Sequence, residues 1–373
     1  METKEWRRLI KHSMVLLAVV LLFGMITFAY RYGNKEQKVH AQGQAAVEED
    51  LIQQHPMERQ EAIAFRGEKI KDITDTYIRI AKLEGVEAQR AYLDNEYLDF
   101  SISLTLKGVP SGEYSKKKIG CVWQGEEFFW EEEGKKFLTQ LTIGNFLEGD
   151  TETLRIRMQF DDVYEPTLYE TNEAYYIALQ EPEEIFDKII VIDAGHGGMD
   201  EGTVSVDGKH REKDYAVRVA KCLQDIYKDS ESKVYFTRLH DTTLSKEKRT
   251  DLANAVHADA FVSIHCNAST PGDTASYGME ALYSGRARTA SDKLTSKQLA
   301  KYVQKGVHEE TGRRDRGVIQ RNDLYLMNHS KVPVTIIEIG YMSNSSDLRY
   351  LLKEKNQKKI AKGIYNGIEA ALD

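Results

Sequence analysis

The stretch Ile189-Ile190-Val191-Ile192-Asp193-Ala194-Gly195-His196-Gly197-Gly198 decides how the C-terminal half of this chain is read. An unbroken apolar run, short and β-branched, predicts a buried strand over Ile189–Asp193. The glycines around His196 allow a tight turn and a close approach of a ligand to the backbone. In open α/β sheets ligands bind beyond the carboxyl ends of the strands, and His196 stands at such an end. A phosphate-binding glycine turn with an incidental histidine is the alternative. The sequence has no G-x-G-x-x-G here, and no Walker lysine follows.

Downstream of this strand, apolar runs alternate with amphipathic segments. Further strands are expected at Val234–Thr237, Ala260–His265, Met279–Tyr283 and Val334–Ile339. Ala216, Val219, Ala220, Leu223 and Ile226 form a helical stripe, with Asp214 as a candidate N-cap. Leu252, Ala253 and Val256 mark a second helix, Leu299 to Val307 a third, and Ile360 to Ala371 a C-terminal one. This alternation predicts an α/β unit over 186–373, a mainly parallel sheet flanked by helices.

Upstream the period changes to two. Leu98, Phe100, Ile102, Leu104 and Leu106 alternate with polar residues, as do Ile119, Cys121 and Trp123, and Leu154 to Phe160. Tyr175 to Leu179 adds another strand, and Gly108 to Gly112 and Gly149-Asp150 supply turns. A small antiparallel β domain over 87–183, a sandwich, is expected. Ile70, Ile73, Tyr77, Ile80 and Ala81 recur at helical spacing, so 33–86 reads as a polar linker followed by a connecting helix.

Met14 to Tyr30 is apolar and uncharged, near the lower end of the roughly 17–25 residues that span a bilayer. Lys4, Arg7, Arg8 and Lys11 precede it and favour the cytoplasmic side. Residues 1–32 therefore read as a basic flank and an uncleaved signal-anchor. They give a single-pass protein of the cell membrane whose remainder lies outside the cytoplasm. Cleavage near Val39-His40-Ala41 is the rival reading and would release a secreted protein.

Composition narrows the partners. The chain of 373 residues carries a net charge of -8 and no long basic run, which argues against nucleic acid. Its three cysteines, Cys121, Cys222 and Cys266, are far apart. They imply neither a disulfide framework nor a structural zinc site.

Three further residues stand out beside His196. His265 ends a strand in Val262-Ser263-Ile264-His265-Cys266-Asn267. The pleat puts Cys266 on the opposite face, so it should not share a ligand with His265. Glu212, in Arg211-Glu212-Lys213-Asp214, follows the loop after His196; alone it would be an acidic first turn of a helix. Glu338 lies inside the apolar run Val334-Thr335-Ile336-Ile337-Glu338-Ile339. A buried carboxylate needs a partner or a function, and a core salt bridge to Arg238 or Arg249 is the bland option. Two imidazoles and one carboxylate are a ligand set for catalytic zinc. A second carboxylate then remains to move protons, which points to a zinc-dependent hydrolase.

From Ile189 to the C-terminus the chain resembles the catalytic domain of the zinc-dependent N-acetylmuramoyl-L-alanine amidases, the amidase 3 family. Ile-Asp-Ala-Gly-His-Gly-Gly-Met-Asp-Glu-Gly resembles the first motif of that family, with His196 as a zinc ligand. Glu212 in Glu-Lys-Asp resembles the second ligand, and His265 in Ser-Ile-His-Cys-Asn-Ala the third. Glu338 in Ile-Glu-Ile-Gly-Tyr-Met-Ser-Asn resembles the catalytic glutamate. Thr237-Arg238 with Asp241, then Arg249 and Ala253-Asn254, fit the family's second strand and following helix.

The resemblance implies one Zn2+ per catalytic domain. It also implies hydrolysis of the amide between N-acetylmuramic acid and the first L-alanine of the peptidoglycan stem peptide. Some relatives carry a long helical insertion that blocks the zinc site, whereas Asn267 to Gly278 is short here. The β domain matches no wall-binding repeat, and a partner protein such as an activator is a candidate for it. Two alternatives stay open: a non-catalytic wall-binding or regulatory protein on an amidase scaffold, and a zinc peptidase cutting within the stem peptide.

Overall fold

The computed structural model describes residues 57–65, 70–110, 119–128, 137–269, 275–286 and 294–373. The expected membrane segment and the linker to residue 56 lie outside the described residues. Among the described residues no helix is long and apolar enough to cross a membrane.

The N-terminal described part is all β. Its strands are β1 (Glu58–Glu61), β2 (Ile63–Ala64), β3 (Tyr77–Ala81), β4 (Arg90–Glu96), β5 (Ser101–Lys107), β6 (Ile119–Trp123), β7 (Glu126–Phe128), β8 (Leu138–Glu148), β9 (Thr151–Phe160), β10 (Glu165–Glu170) and β11 (Ala174–Gln180). They form a five-stranded sheet, β1-β4-β5-β9-β8, and a six-stranded sheet, β2-β10-β11-β3-β6-β7. Every pairing is antiparallel except β2 with β10. Leu104, Leu106, Leu154 and Ile156 from one sheet pack with Ile78, Ile80, Leu168 and Ile177 from the other in one apolar cluster. The expected sandwich is therefore present.

The expected connecting helix is not. Its described residues form β1, β2, a short 3-10 turn (Ile70–Asp72) and β3, so the β unit begins well before residue 87. Ile78 and Ile80 are fully buried while Tyr77, Arg79 and Ala81 are half-buried, which is a period of two. β3 is paired on both sides, by β11 and β6, and this long-range pairing overrides a local helical spacing. The alternation from Leu98 also starts late. Tyr97–Asp99 is a 3-10 turn closed by Phe100 at φ 51°, and β5 begins at Ser101.

The C-terminal part contains α1 (Pro182–Ile185), β12 (Ile189–Ala194), α2 (Glu212–Tyr227), β13 (Lys233–Phe236), α3 (Lys246–Ala255), β14 (Ala260–Asn267), β15 (Met279–Tyr283), α4 (Ser296–Thr311), β16 (Asp315–Gln320), α5 (Tyr325–His329), β17 (Val334–Tyr341), α6 (Ser345–Leu351) and α7 (Glu354–Leu372). The sheet order is β13-β12-β14-β17-β15-β16. β13, β12, β14 and β17 are mutually parallel; β15 runs antiparallel to β17, and β16 follows β15. The α2 helix starts at Glu212 with Arg211 as N-cap. Asp214 is thus no cap but an acid in the first turn, where it suits the helix dipole.

Alternate residues of the central strands feed two cores. Ile190, Ile192, Val262, Ile264 and Ile337 face α2, α4 and α7 through Val219, Leu223, Val303 and Ile364. Ile189, Val191, Tyr235, Phe261 and Ile336 face the other way, with Leu252 and Ala253 of α3 and Leu326 of α5. Tyr97, Leu98 and Val163 of the β unit belong to this second core.

Candidate metal centre

β12 and β14 are parallel and in register, Asp193 opposite Ser263 and Ala194 opposite Ile264. Both strands therefore deliver their following residues to the same sheet edge. Beyond β12 the chain turns sharply: His196 has φ 60°, in the left-handed region. For a residue with a Cβ that conformation must be held from outside. Two guanidiniums hold it. Arg238 donates from Nε to the Ala194 carbonyl at 2.8 Å and from Nη2 to that of Gly195 at 2.6 Å. Arg249 donates to the Ala194 and His196 carbonyls, each at 2.7 Å.

Asp193 balances this pair of buried cations. It accepts from Arg249 Nη1, Thr237 Oγ1 and Ser263 Oγ, each at 2.5 Å. Burial would raise its carboxyl, but Arg249 and the two hydroxyls outweigh burial and hold it below the usual range. Burial pushes the Arg238 guanidinium down to about 10.

Glu212 is the hub of the cluster and is only 3% exposed. Its Oε1 lies 3.2 Å from His196 Nε2 and 2.8 Å from His265 Nδ1. The same oxygen accepts from the Cys266 amide at 2.9 Å, and Oε2 accepts from the Thr203 amide at 2.8 Å. On the far side of its ring, His196 Nδ1 is 2.8 Å from Asp200 Oδ2, which fixes the ring's orientation. One ligand atom from each of His196, Glu212 and His265 falls within 4.8 Å of the others. Burial would raise the Glu212 carboxyl, but hydrogen bonds to His196 and His265 outweigh it and hold the group well below the usual range. Two nitrogens and one anionic oxygen converging on one point fit a divalent zinc ion.

Close approach here depends on glycine. A Cβ on Gly195 would sit 2.4 Å from the His265 ring, and one on Gly202 would sit 2.6 Å from His196 Cδ2. We expect Gly195→Ala to displace His265 and weaken zinc binding by about 10–100-fold, as losses of ligand support do. Competition with a chromophoric chelator measures this, and unchanged affinity would show that the ring has room to move.

Glu338 completes the row. On β17 it stands in register with His265 of β14 on one side and Glu280 of β15 on the other. Its Oε2 is buried and has no hydrogen-bond partner among the described residues. Burial pushes the carboxyl well above its usual range, and the nearby Glu212 and Glu280 charges add to this. A core salt bridge to Arg238 or Arg249 is not formed, because both guanidiniums are committed to the β12 loop and Asp193. Cys266 is buried in the core on the opposite face, as the pleat requires.

Several contributors escaped the sequence reading. Glu280 is 5% exposed. It accepts from Asn267 Nδ2 at 2.7 Å, Arg316 Nε at 2.8 Å and the Tyr341 hydroxyl at 3.2 Å. The signal was available, since Glu280 interrupts an apolar strand just as Glu338 does. Asp200 gave no signal beyond lying on a glycine-rich loop.

Residues 190–370 match a protein family described as N-acetylmuramoyl-L-alanine amidase. The germination-specific N-acetylmuramoyl-L-alanine amidase of Bacillus subtilis (strain 168) is 33% identical over 195 residues, covering 48% of this chain and 78% of that protein. The chain belongs to this amidase family. The uncharacterized protein YqiI of the same organism is 35% identical over 194 residues, covering 52% of this chain and 89% of its own length. A solved catalytic domain, that of the amidase CwlV from Bacillus (Paenibacillus) polymyxa var. colistinus, is 35% identical with a TM-score of 0.46, covering 50% of this chain and 98% of that one. The amidase-family match runs from within β12 to within α7, takes in the three clustered residues and Glu338, and leaves out the β sandwich.

Proposed function

We propose that this chain is a zinc-dependent N-acetylmuramoyl-L-alanine amidase, cutting the amide that joins the lactyl group of N-acetylmuramic acid to the first L-alanine of the stem peptide. The observation that carries the reading is the His–Glu–His convergence beside a carboxylate whose Oε2 has no hydrogen-bond partner among the described residues. His196, Glu212 and His265 would hold the ion. Zinc in such a site supplies Lewis acidity toward a carbonyl oxygen and lowers the pKa of water to about 7.

The remaining work belongs to the chain. Glu338 accepts the proton of the attacking water as the carbon–oxygen bond forms. It then delivers that proton to the amide nitrogen as the carbon–nitrogen bond breaks. A carboxyl held above its usual range by burial is suited to this carrying role. Asp200 keeps the His196 ring turned, and Arg238 and Arg249 fix the backbone beneath it.

The basic flank and apolar run at 4–30 support an uncleaved anchor with the catalytic unit outside the cytoplasm, where peptidoglycan lies. Among the described residues the β sandwich supplies none of the clustered ligands, which supports a role in engaging the wall or an activator. Masses of the products from sacculi treated with the zinc-loaded protein test the reaction. An intact stem peptide freed from glycan is expected; fragments cut within the stem would instead make the protein a peptidase. His265→Ala is expected to lose most of its zinc at micromolar protein, by metal analysis after gel filtration. Full occupancy in that variant would remove His265 from the site.

A further inference from the structure

The row of side chains does not stop at Glu280. Arg316, on the next strand, donates to Glu280 Oε2 at 2.8 Å and is itself 28% exposed. Neighbouring strands lie about 4.8 Å apart, so β16 is about 10 Å across the sheet from Glu338. The track continues toward the end of β17. Arg314 lies over the Tyr277 ring at 5.0 Å, and Arg313 is paired with the buried Asp347. Asp347 is itself fixed by the amides of Gly278 at 2.8 Å and Tyr341 at 3.0 Å.

Beside Arg313 opens a cavity of about 350 Å³, whose walls include Arg349, Tyr350 and Lys353. Arg349 and Lys353 are exposed and have no ion-pair partner among the described residues. The Tyr350 hydroxyl is buried without a hydrogen-bond partner among the described residues. Arg316 and Arg313 share their charge with Glu280 and Asp347, so the cations of this stretch unpaired among the described residues are Arg349 and Lys353, which on a chain of net charge -8 favour an anion.

We propose that Arg316, then Arg313, Arg349 and Lys353 around the cavity, bind the carboxylates of the stem peptide beyond its first alanine. The inference rests on the amidase reading and names the substrate class within it: peptides whose acidic residues are free rather than amidated. Dimensions agree. An extended peptide advances about 3.3–3.6 Å per residue, so a second-residue carboxylate comes within reach of the Arg316 side chain. Tyr341 lies three residues along β17 from Glu338, about 10 Å at strand rise. The cavity near Asp347 then falls to the third and fourth residues. Guanidiniums suit carboxylates because their parallel N–H groups match both oxygens.

The test is equilibrium binding of a fluorescent stem tetrapeptide to the full chain in detergent, with and without zinc. Free-acid and fully amidated forms of the peptide are compared. The free acid is expected to bind at least ten-fold more tightly, with an affinity that falls as salt rises. Arg349→Gln/Lys353→Gln changes only exposed side chains and is expected to remove most of that preference; Arg316→Gln, whose guanidinium is shared with Glu280, is expected to remove a smaller part. Equal affinity for the two peptides, or an unaltered preference in the double variant, would overturn the proposal. A protein that keeps the preference yet frees no peptide from muropeptides would uphold this subsite and sink the amidase reading instead.

Discussion

Glu338→Gln is expected to lower turnover on soluble muropeptides by about 100-fold or more, in line with general acid–base contributions of roughly 10²–10⁴. The substitution keeps the shape of the side chain and removes its ability to take a proton. Zinc should stay, because His196, Glu212 and His265 form the convergent set without Glu338. Folding should also survive. Glu338 Oε2 has no hydrogen-bond partner among the described residues to lose, and a neutral amide is no costlier to bury than a carboxylate. The fall should appear in kcat more than in KM, because the lost interaction belongs to the transition state. Steady-state kinetics, zinc content and melting temperature on one preparation separate the possibilities. A lower melting temperature with near-normal kcat would make Glu338 structural. Loss of zinc would make it a ligand and leave Glu212 as the better proton carrier.

The site was legible in the sequence because each of its main residues breaks a local pattern. His196 and His265 end apolar strands, and two parallel strands must deliver their ends to one edge. Glu338 is a charge inside an apolar run. Glu280 breaks the same rule, but a single acid in a short strand announces no partner. Its partners, Asn267 and Arg316, come from β14 and β16, whose places beside it depend on the order in which strands join the sheet. Arg238 and Arg249 could be noted, but not their task of holding three consecutive carbonyls. That task exists only once β12, β13 and α3 have come together. The connecting helix failed for the same reason. Ile73, Tyr77 and Ile80 satisfy a helical spacing, yet the flanking β6 and β11 decide the conformation, and no window of the sequence contains them.

The β unit posed a harder problem, since a sandwich joined by an acidic segment reads as a separate module. The core facing α3 contradicts independence. Tyr97 is 4% exposed and Leu98 5%, and both pack with Val191, Tyr235 and Leu252 of the catalytic unit. The Tyr97 hydroxyl donates to the Phe236 carbonyl at 3.0 Å, and Lys233 reaches Glu58 at 2.7 Å and Glu165 at 3.0 Å. Tyr97→Ala is therefore expected to cost about 3–5 kcal/mol, the range for emptying a large aromatic site. Tyr97→Phe, which removes only the hydroxyl, is expected to cost about 1 kcal/mol.

The catalytic unit alone, from residue 186, should expose this apolar face and unfold at lower urea than the whole chain. The consequence reaches the metal. Asp99 of the same turn pairs with Lys248 on α3, and the next residue, Arg249, holds the His196 carbonyl. A loosened turn leaves α3 less firmly placed, so Tyr97→Ala should also bind zinc more weakly than Tyr97→Phe under conditions where both are folded. Urea titrations and chelator competition on the two variants measure both effects. Equal stability of Tyr97→Ala and the unsubstituted protein would show that the sandwich is carried by the enzyme without supporting it.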